Sequence, residues 1–283
     1  MGAAFLWGTI GIWVKVVYSE TTMGPISLAW FRFLFTIPVL GLATVSQGYR
    51  FSLTLREIGL FAVFGFCGIT MFEVLYFVSF AYTNVQHVAA LIYTAPAFVA
   101  ILSRLILNER LTRGKIVAVL VSMLGTFLLM GVARGEPLFG SRSQIGDWLA
   151  VGAGVSYSFW YIFGKLLGKN RAPAMTSFLA MSFGTIFLLP IMIAFEGVRP
   201  PESIIAWSLV AFIGIVPSAI AYLLYFAGLN LIDATEASVI AITEPVTAAI
   251  LAFLLFQESL SPDSFLGFAL IIGSILLISS TRT

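Results

Sequence analysis

Arg32, Glu73, His87, Lys165, Glu236 and Glu244 are ionisable side chains that stand out within otherwise apolar stretches of this chain. An ionisable group near the centre of a bilayer costs ~2.5–3.5 kcal/mol even on the lenient insertion scale, and it usually faces a cavity or a partner. Lys165 and Glu236, like Lys15 and Arg104, fall near the ends of their stretches, where snorkelling to the interface accounts for them. Arg32, Glu73 and Glu244 are deeper, and two readings stand for them: lining of a site, or a structural ion pair. Glu73, Tyr76, Phe77 and Phe80 follow the i, i+3, i+4, i+7 spacing, so one helical face carries a carboxylate among aromatic rings. Ring faces attract ammonium groups by ~0.5–2 kcal/mol each, so such a face suits a cation. The plainer alternative is that these rings pack, or sit in the interfacial belt.

Catalytic constellations are missing. One histidine, His87, precludes HExxH and any two-histidine metal site, and neither a GxSxG elbow nor a GxxxxGK[ST] loop occurs. No cofactor, no metal and no enzymatic activity are therefore expected. His87 stands beside Asn84 and Gln86 and reads as a polar residue at a loop edge, although its titration range suits a proton carrier. A net charge of +2 without a basic tail points away from nucleic acid, and Cys67, the single cysteine, cannot form an internal disulfide.

The elements that must position these residues follow from composition. Charged residues make up 10% of the 283, against about 25% in a soluble domain, and mean hydropathy is +1.03. Ten apolar runs are long enough to cross a membrane or nearly so, at 1–18, 26–46, 57–82, 85–107, 113–132, 146–167, 174–195, 203–231, 234–256 and 262–280. Continuous apolar runs such as 186–194 and 248–256 exclude the alternating pattern of a membrane β-barrel. The first run, at ~1.5 Å per residue, spans barely ~27 Å. Lys15 falls on the wrong side of it for a signal peptide, so it reads as a true first helix lacking its N-terminal turns.

Residues 59–112 overlay residues 208–261 at a constant offset of 149, with 14 identities in 54 positions. Gly65/Gly214, Tyr76/Tyr225, Pro96/Pro245 and Glu109/Glu258 are among them, and Glu73 falls opposite Tyr222. The chain divides accordingly into a first repeat of five helices (1–132), a connecting loop (133–145) and a second repeat of five (146–283). With the N-terminus inside, ten basic residues lie on the cytoplasmic side (Arg50, Arg56, Arg104, Arg110, Arg113, Lys115, Lys165, Lys169, Arg171 and Arg282). Four lie on the other: Lys15, Arg134, Arg142 and Arg199. The positive-inside rule then puts both termini of a multi-pass protein of the plasma or inner membrane in the cytoplasm. Five helices per copy is odd, so the copies are inverted relative to each other, and such repeats hold substrate where they meet. Pro96 and Pro245 interrupt the fourth and ninth runs at equivalent points, as paired defects at a gating site or as plain kinks.

Together these features resemble the EamA family of the drug/metabolite transporter superfamily. The resemblance rests on Trp7-Gly8, on Arg32-Phe33 after Ala29-Trp30, and on the stretch from Ala81 through Ala89-Ala90-Leu91-Ile92 and Pro96 to Glu109-Arg110-Leu111. The second copy repeats this stretch from Ala234 through Pro245 to Glu258-Ser259-Leu260 and Gly267. It implies an all-α integral membrane protein, ten helices in an inverted 5+5 repeat around a central cavity lined by helices 1–4 and 6–9. Helices 5 and 10 would lie outside, available for packing or for homodimer contacts. Trp7, Arg32, Tyr93, Pro96 and Pro245 match family positions near that cavity. Glu109 and Glu258 match signature residues with structural, capping or pairing roles, and Glu244 stands where the family more often has an apolar residue.

The expected substrate-binding set is Trp7, Arg32, Glu73, Tyr76, Tyr93, Tyr157, Trp160, Tyr222, Tyr225 and Glu244, with Pro96 and Pro245 at the kinks. The expected activity is secondary transport of small organic metabolites, amino-acid-like or amine-like, by alternating access and in the export direction. The partners are a small-molecule substrate and the lipid bilayer, with proton coupling open. Efflux of lipophilic cations is the alternative favoured by 26 Phe, 9 Tyr and 6 Trp. A non-transporting membrane scaffold or receptor is the alternative from another class.

Overall fold

The structure, a computed structural model, describes residues 1–49, 53–132, 135, 137–257 and 259–280. Arg50, Arg134 and Arg282, used above for orientation, and the signature residue Glu258 lie outside the described residues. Among the described residues every regular element is helical. In order they are α1 (Gly2–Glu20), α2 (Pro25–Ser46), α3 (Leu55–Ser79), α4 (Val85–Leu107) and α5 (Arg113–Leu129). There follow α6 (Gln144–Gly168), α7 (Pro173–Phe195), α8 (Ile204–Leu229), α9 (Ala234–Phe256) and α10 (Pro262–Ser280). Eight of these, all but α5 and α6, are long and apolar enough to cross a membrane. Lipid offers no partner to a free backbone group, so each apolar run closes its own hydrogen bonds as a helix.

Short polar residues mark the helix starts. The Thr54 hydroxyl accepts from Glu57 N while the Glu57 carboxylate accepts from Thr54 N at 2.8 Å, a reciprocal cap on α3. Asn84, Thr112 and Ser203 likewise accept from the third residue of α4, α5 and α8, satisfying donors the first turn leaves free. Two further starts are capped from a distance. Glu196, just after α7, accepts from Ile26 N and Ser27 N of α2 at 2.9 and 2.8 Å. Glu109, just after α4, accepts from Ala234 N of α9 at 2.8 Å. Both ties join the first five helices to the last five.

The 149-residue offset recurs in the irregularities of the helices. α3 widens into a π turn at Gly65–Thr70 and α8 at Gly214–Ile220, each starting on the equivalent glycine. Close crossings explain why those positions are glycine. A Cβ on Gly65 would stand 2.6 Å from Gly184 N of α7, and one on Gly214 would stand 2.5 Å from Arg32 O of α2. Threonine hydroxyls bond across both crossings, Thr70 Oγ1 to Gly184 O at 3.0 Å and Thr36 Oγ1 to Gly214 O at 2.9 Å. α4 and α9 end on the equivalent left-handed residues Asn108 and Gln257, with φ 56° and 55°.

The proline interruptions fall a few residues early. α4 breaks at Tyr93 and Thr94, and α9 at Ile242, so Pro96 and Pro245 sit in the first turns of new helical segments where a missing N–H costs nothing. Carbonyls near each break are met by threonine: Thr94 Oγ1 donates to Leu91 O at 2.6 Å and Thr243 Oγ1 to Ile240 O at 2.7 Å. α5 and α10 pack on each other, with Gly125 and Gly267 at a contact too close for a side chain. Large apolar residues such as Leu105, Leu120, Ile186 and Leu276 remain exposed, as lipid-facing residues should be.

Candidate functional site

α1 presents Trp7, Gly11, Val14 and Tyr18 along one face, spaced about one helical turn apart, and the wall they form lines a cavity of about 390 Å³. At ~1.5 Å per residue, Trp7 to Tyr18 is a depth of roughly 16 Å. α2, α3, α4, α6, α7, α8 and α9 supply the other walls. α10 contributes no lining residue, and α5 only Met130 just beyond its end. Both the volume and the mainly aromatic, apolar lining fall in the range of sites that hold small organic molecules.

Among the described residues, three charged side chains line this cavity. Arg32 of α2 donates from Nη2 to Glu73 Oε1 of α3 at 2.8 Å, and its guanidinium lies over the Phe33 ring with the centroid 4.8 Å away. The two readings of Arg32 and Glu73 thus merge, since the ion pair itself lines the cavity. Glu73 is not a lone carboxylate among rings. Glu244 is. It sits in the first turn of the Thr243–Phe256 segment of α9 with the Tyr93 hydroxyl as its polar neighbour, and no cation pairs with it among the described residues. With both acids ionised the cavity carries a net charge of minus one.

Aromatic rings form two groups. Phe72 stacks on Tyr76 and on Tyr157, at centroid distances of 5.7 and 4.9 Å, and Tyr76 meets Phe77 at 5.1 Å. At the end of α1 near the N-terminus, Trp7 and Trp160 contact both Tyr222 and Tyr225 at 5.3–5.8 Å, closing the cavity. Behind this wall is a second, apolar cavity of about 200 Å³, bounded by Met1–Ala4 and by residues of α8 and α9. At the opposite end the larger cavity reaches Tyr18, Leu28 and Met130, all near helix ends on one side of the bundle.

The expected site residues separate accordingly. Trp7, Arg32, Glu73, Tyr76, Tyr93, Tyr157, Trp160, Tyr222, Glu244 and Pro245 meet in the larger cavity. Tyr225 lines the smaller one with Trp7. Pro96 lines neither, because the segment it begins is turned into the packing of α4 against α6 and α9. Sequence reasoning missed Tyr18, Phe72 and Met181 as lining residues. The ion pair left open there for Arg32, Glu73 and Glu244 joins Arg32 to Glu73, a choice of partner that the sequence did not make.

Other polar residues have structural partners. Lys165 does not snorkel: its Nζ donates to Leu229 O and Ile232 O at 2.7 and 2.6 Å, satisfying carbonyls at the end of α8. Glu236 lies 3.4 Å from Lys115 Nζ, which also pairs with Asp233. His87 stands in the first turn of α4, next to the loop, but is fully buried, with Nδ1 3.0 Å from Asp147 Oδ1. Asp147 additionally accepts from Thr83 Oγ1, Phe139 N and Ser143 Oγ at 2.7–2.9 Å. Burial pushes the carboxyl of Glu109, in the loop after α4, above its ordinary range despite the two backbone donors it meets.

A bundle of membrane-length helices around a solute-sized cavity with buried charges defines a multi-pass membrane protein built to hold a small molecule. Comparison with known proteins gives the family. The model of the EamA-like transporter family matches residues 1–131 and 144–280, and the chain belongs to that family. An uncharacterized transporter of Archaeoglobus fulgidus is 26% identical over 275 residues, 97% of this chain and 93% of that protein. The uncharacterized inner membrane transporter YicL of Salmonella typhimurium is 26% identical over 283 residues, covering 98% and 92%. A solved crystal structure superposes with a TM-score of 0.84 at 20% identity, over 99% of this chain and 96% of that one, a likeness of fold.

Proposed function

We propose that this membrane transporter carries small organic metabolites, amino-acid-like or amine-like, by alternating access and in the export direction. The observation that carries the reading is the cavity, whose polar groups, Arg32–Glu73 and Glu244, lie between aromatic walls drawn from both ends of the chain. Such groups orient a small ligand while the rings supply contact area. The proposed mechanism uses two five-helix repeats, 1–132 and 146–283, inverted about an axis in the membrane and joined by 133–145. Its support is the offset of 149 shared by the π turns, the helix breaks and the left-handed ends, together with the two blocks of the family match. With both termini cytoplasmic, as the distribution of basic residues favours, the larger cavity faces outward and the Trp7–Trp160–Tyr222–Tyr225 wall closes the inner side. Closure at one end and access at the other is what one state of such a cycle requires.

Efflux of lipophilic cations is the second reading, favoured by the aromatic wall and the net negative charge of the cavity. Flux in proteoliposomes, after a thermal-shift screen of metabolites and lipophilic cations has identified ligands, tests and separates the two. Glu73→Gln and Glu244→Gln are expected to lower flux of the identified substrate. If both leave every identified activity unchanged, the acidic site plays no part in transport.

A further inference from the structure

Glu244 differs from every other charged group in the cavity, and the difference suggests what drives transport. Arg32 and Glu73 neutralise each other at 2.8 Å and form a unit with no net charge. Glu244 stands at the eleventh position of the 23-residue α9, about midway along it, with a tyrosine hydroxyl beside it and no ion pair among the described residues, the nearby Arg32 being bonded to Glu73 instead. A carboxylate there has two ways to be neutral: to take a proton, or to take a cationic group from the ligand. The Tyr93 hydroxyl serves either state, donating to the carboxylate or accepting from the acid.

We propose that Glu244 is occupied in turn by a proton and by the ammonium group of the substrate, so that the transporter exchanges amines for protons. The proposal rests on the transport reading above and deepens it by naming the counter-ion. The charges balance: protonated Glu244 meets an ammonium ligand, releases its proton to the open side, and the carboxylate then pairs with the ammonium. On the other side the reverse exchange leaves Glu244 protonated and the amine free. Arg32 would repel an ammonium group, which directs it to Glu244 and leaves Glu73 engaged.

The titratable and charged groups of the cavity agree with a single exchanging acid. Arg32 of α2, Tyr76 of α3, Tyr93 of α4, Tyr157 and Tyr161 of α6 and Tyr222 of α8 lie around Glu244, while Tyr18 of α1 and Glu73 of α3 line the same cavity. The tyrosines stay neutral through the pH range in which carboxylates titrate. Glu73 is the other carboxylate, and it is held by Arg32. Glu244 is also placed to signal its state. A Cβ on Gly8 of α1 would stand 2.6 Å from Glu244 O, so α1, which carries Trp7 of the closing wall, rests on the backbone at the exchange site.

The test uses the full-length protein in lipid nanodiscs with phenethylammonium chloride as probe. Binding is followed by tryptophan fluorescence, since Trp7 and Trp160 line the cavity, and proton release by a dye in weak buffer. Wild type is expected to release about one proton per amine bound at pH below the ionisation of Glu244, with Kd rising roughly tenfold per unit of acidification there. Glu244→Gln should abolish both the release and the pH dependence, and Glu244→Asp should keep both with a displaced midpoint. Proton release that persists in Glu244→Gln overturns the proposal, as does an unmoved midpoint in Glu244→Asp should the glutamine variant not fold. Amine binding without proton release overturns the exchange but leaves amine transport standing. A folded wild type that binds no phenethylammonium yet transports a neutral or anionic metabolite overturns the proposal while the transporter reading survives.

Discussion

Removing one member of the Arg32–Glu73 pair should cost more than removing both. Their side chains are 13% and 8% exposed, and the Arg32 Nε has no partner of its own. Glu73→Ala therefore strands a guanidinium over the Phe33 ring in a cavity lined mainly by aromatic and apolar side chains. Breaking a buried pair from one side costs ~3–5 kcal/mol, and because this pair faces a cavity the expected loss lies near the lower figure, ~3 kcal/mol. Replacing both by apolar residues of similar size, Arg32→Met with Glu73→Met, removes the stranded charge and should recover most of that loss. The assay is a double-mutant cycle on thermal or denaturant unfolding in detergent, with folded dimensions checked by size exclusion. A coupling energy of roughly 1–3 kcal/mol is expected. If the single and double losses simply add, or if Glu73→Ala unfolds with the wild type, the pair is not an energetic unit. The account of a neutral Arg32–Glu73 unit beside a lone Glu244 then fails with it.

The close helix crossings make a second prediction. Gly65→Ala should destabilise by ~1–3 kcal/mol because its Cβ meets the backbone of Gly184. Gly59→Ala, on the same helix with open space around it, should be neutral or stabilising by ~0.5–1 kcal/mol; equal unfolding midpoints for the two would refute the contact. Asp147→Ala removes a carboxylate that holds four donors, and should lower stability by at least ~3 kcal/mol in the same assay, more than His87→Ala. The reverse order would mean that the histidine, not the aspartate, organises that end of α6. Trp7→Ala should join the two cavities, so a cysteine placed at Ala237 in a Cys67→Ser background gains reactivity toward a thiol reagent added from the side of the larger cavity. Unchanged labelling would show that the wall does not depend on Trp7.

Helix positions were legible because the bilayer leaves so little choice. An apolar run of ~20 residues with no water to satisfy its backbone becomes a helix, so the run read at 234–256 coincides with α9 and that at 57–82 nearly so with α3 (Leu55–Ser79). Much of the cavity lining was legible for a related reason. Charged and hydroxylated side chains cannot face lipid, so Arg32, Glu73, Tyr93 and Glu244 had to turn inward. The misses share a different origin. Periodicity says that Tyr76 and Phe80 share a face, but Tyr76 lines the cavity while Phe80 packs on its edge at 4.9 Å. Nothing local to Pro96 reveals that α4 breaks three residues earlier, or that this proline turns into protein while Pro245 reaches the cavity.

The sequence alone determined that this chain lives in a membrane, where its helices run, and which few polar side chains must be sheltered. Those follow from the cost of exposing backbone or charge to hydrocarbon, a cost each residue incurs wherever its helix packs. Tertiary structure decided how the sheltered groups share the interior. Arg32 is 41 residues from Glu73 and meets it only because α2 and α3 pack side by side; Tyr93 meets Glu244 only because two helix breaks face each other. Electrostatic partnership depends on distance in space, and so the same three charges became one neutral pair and one acid left to the cavity.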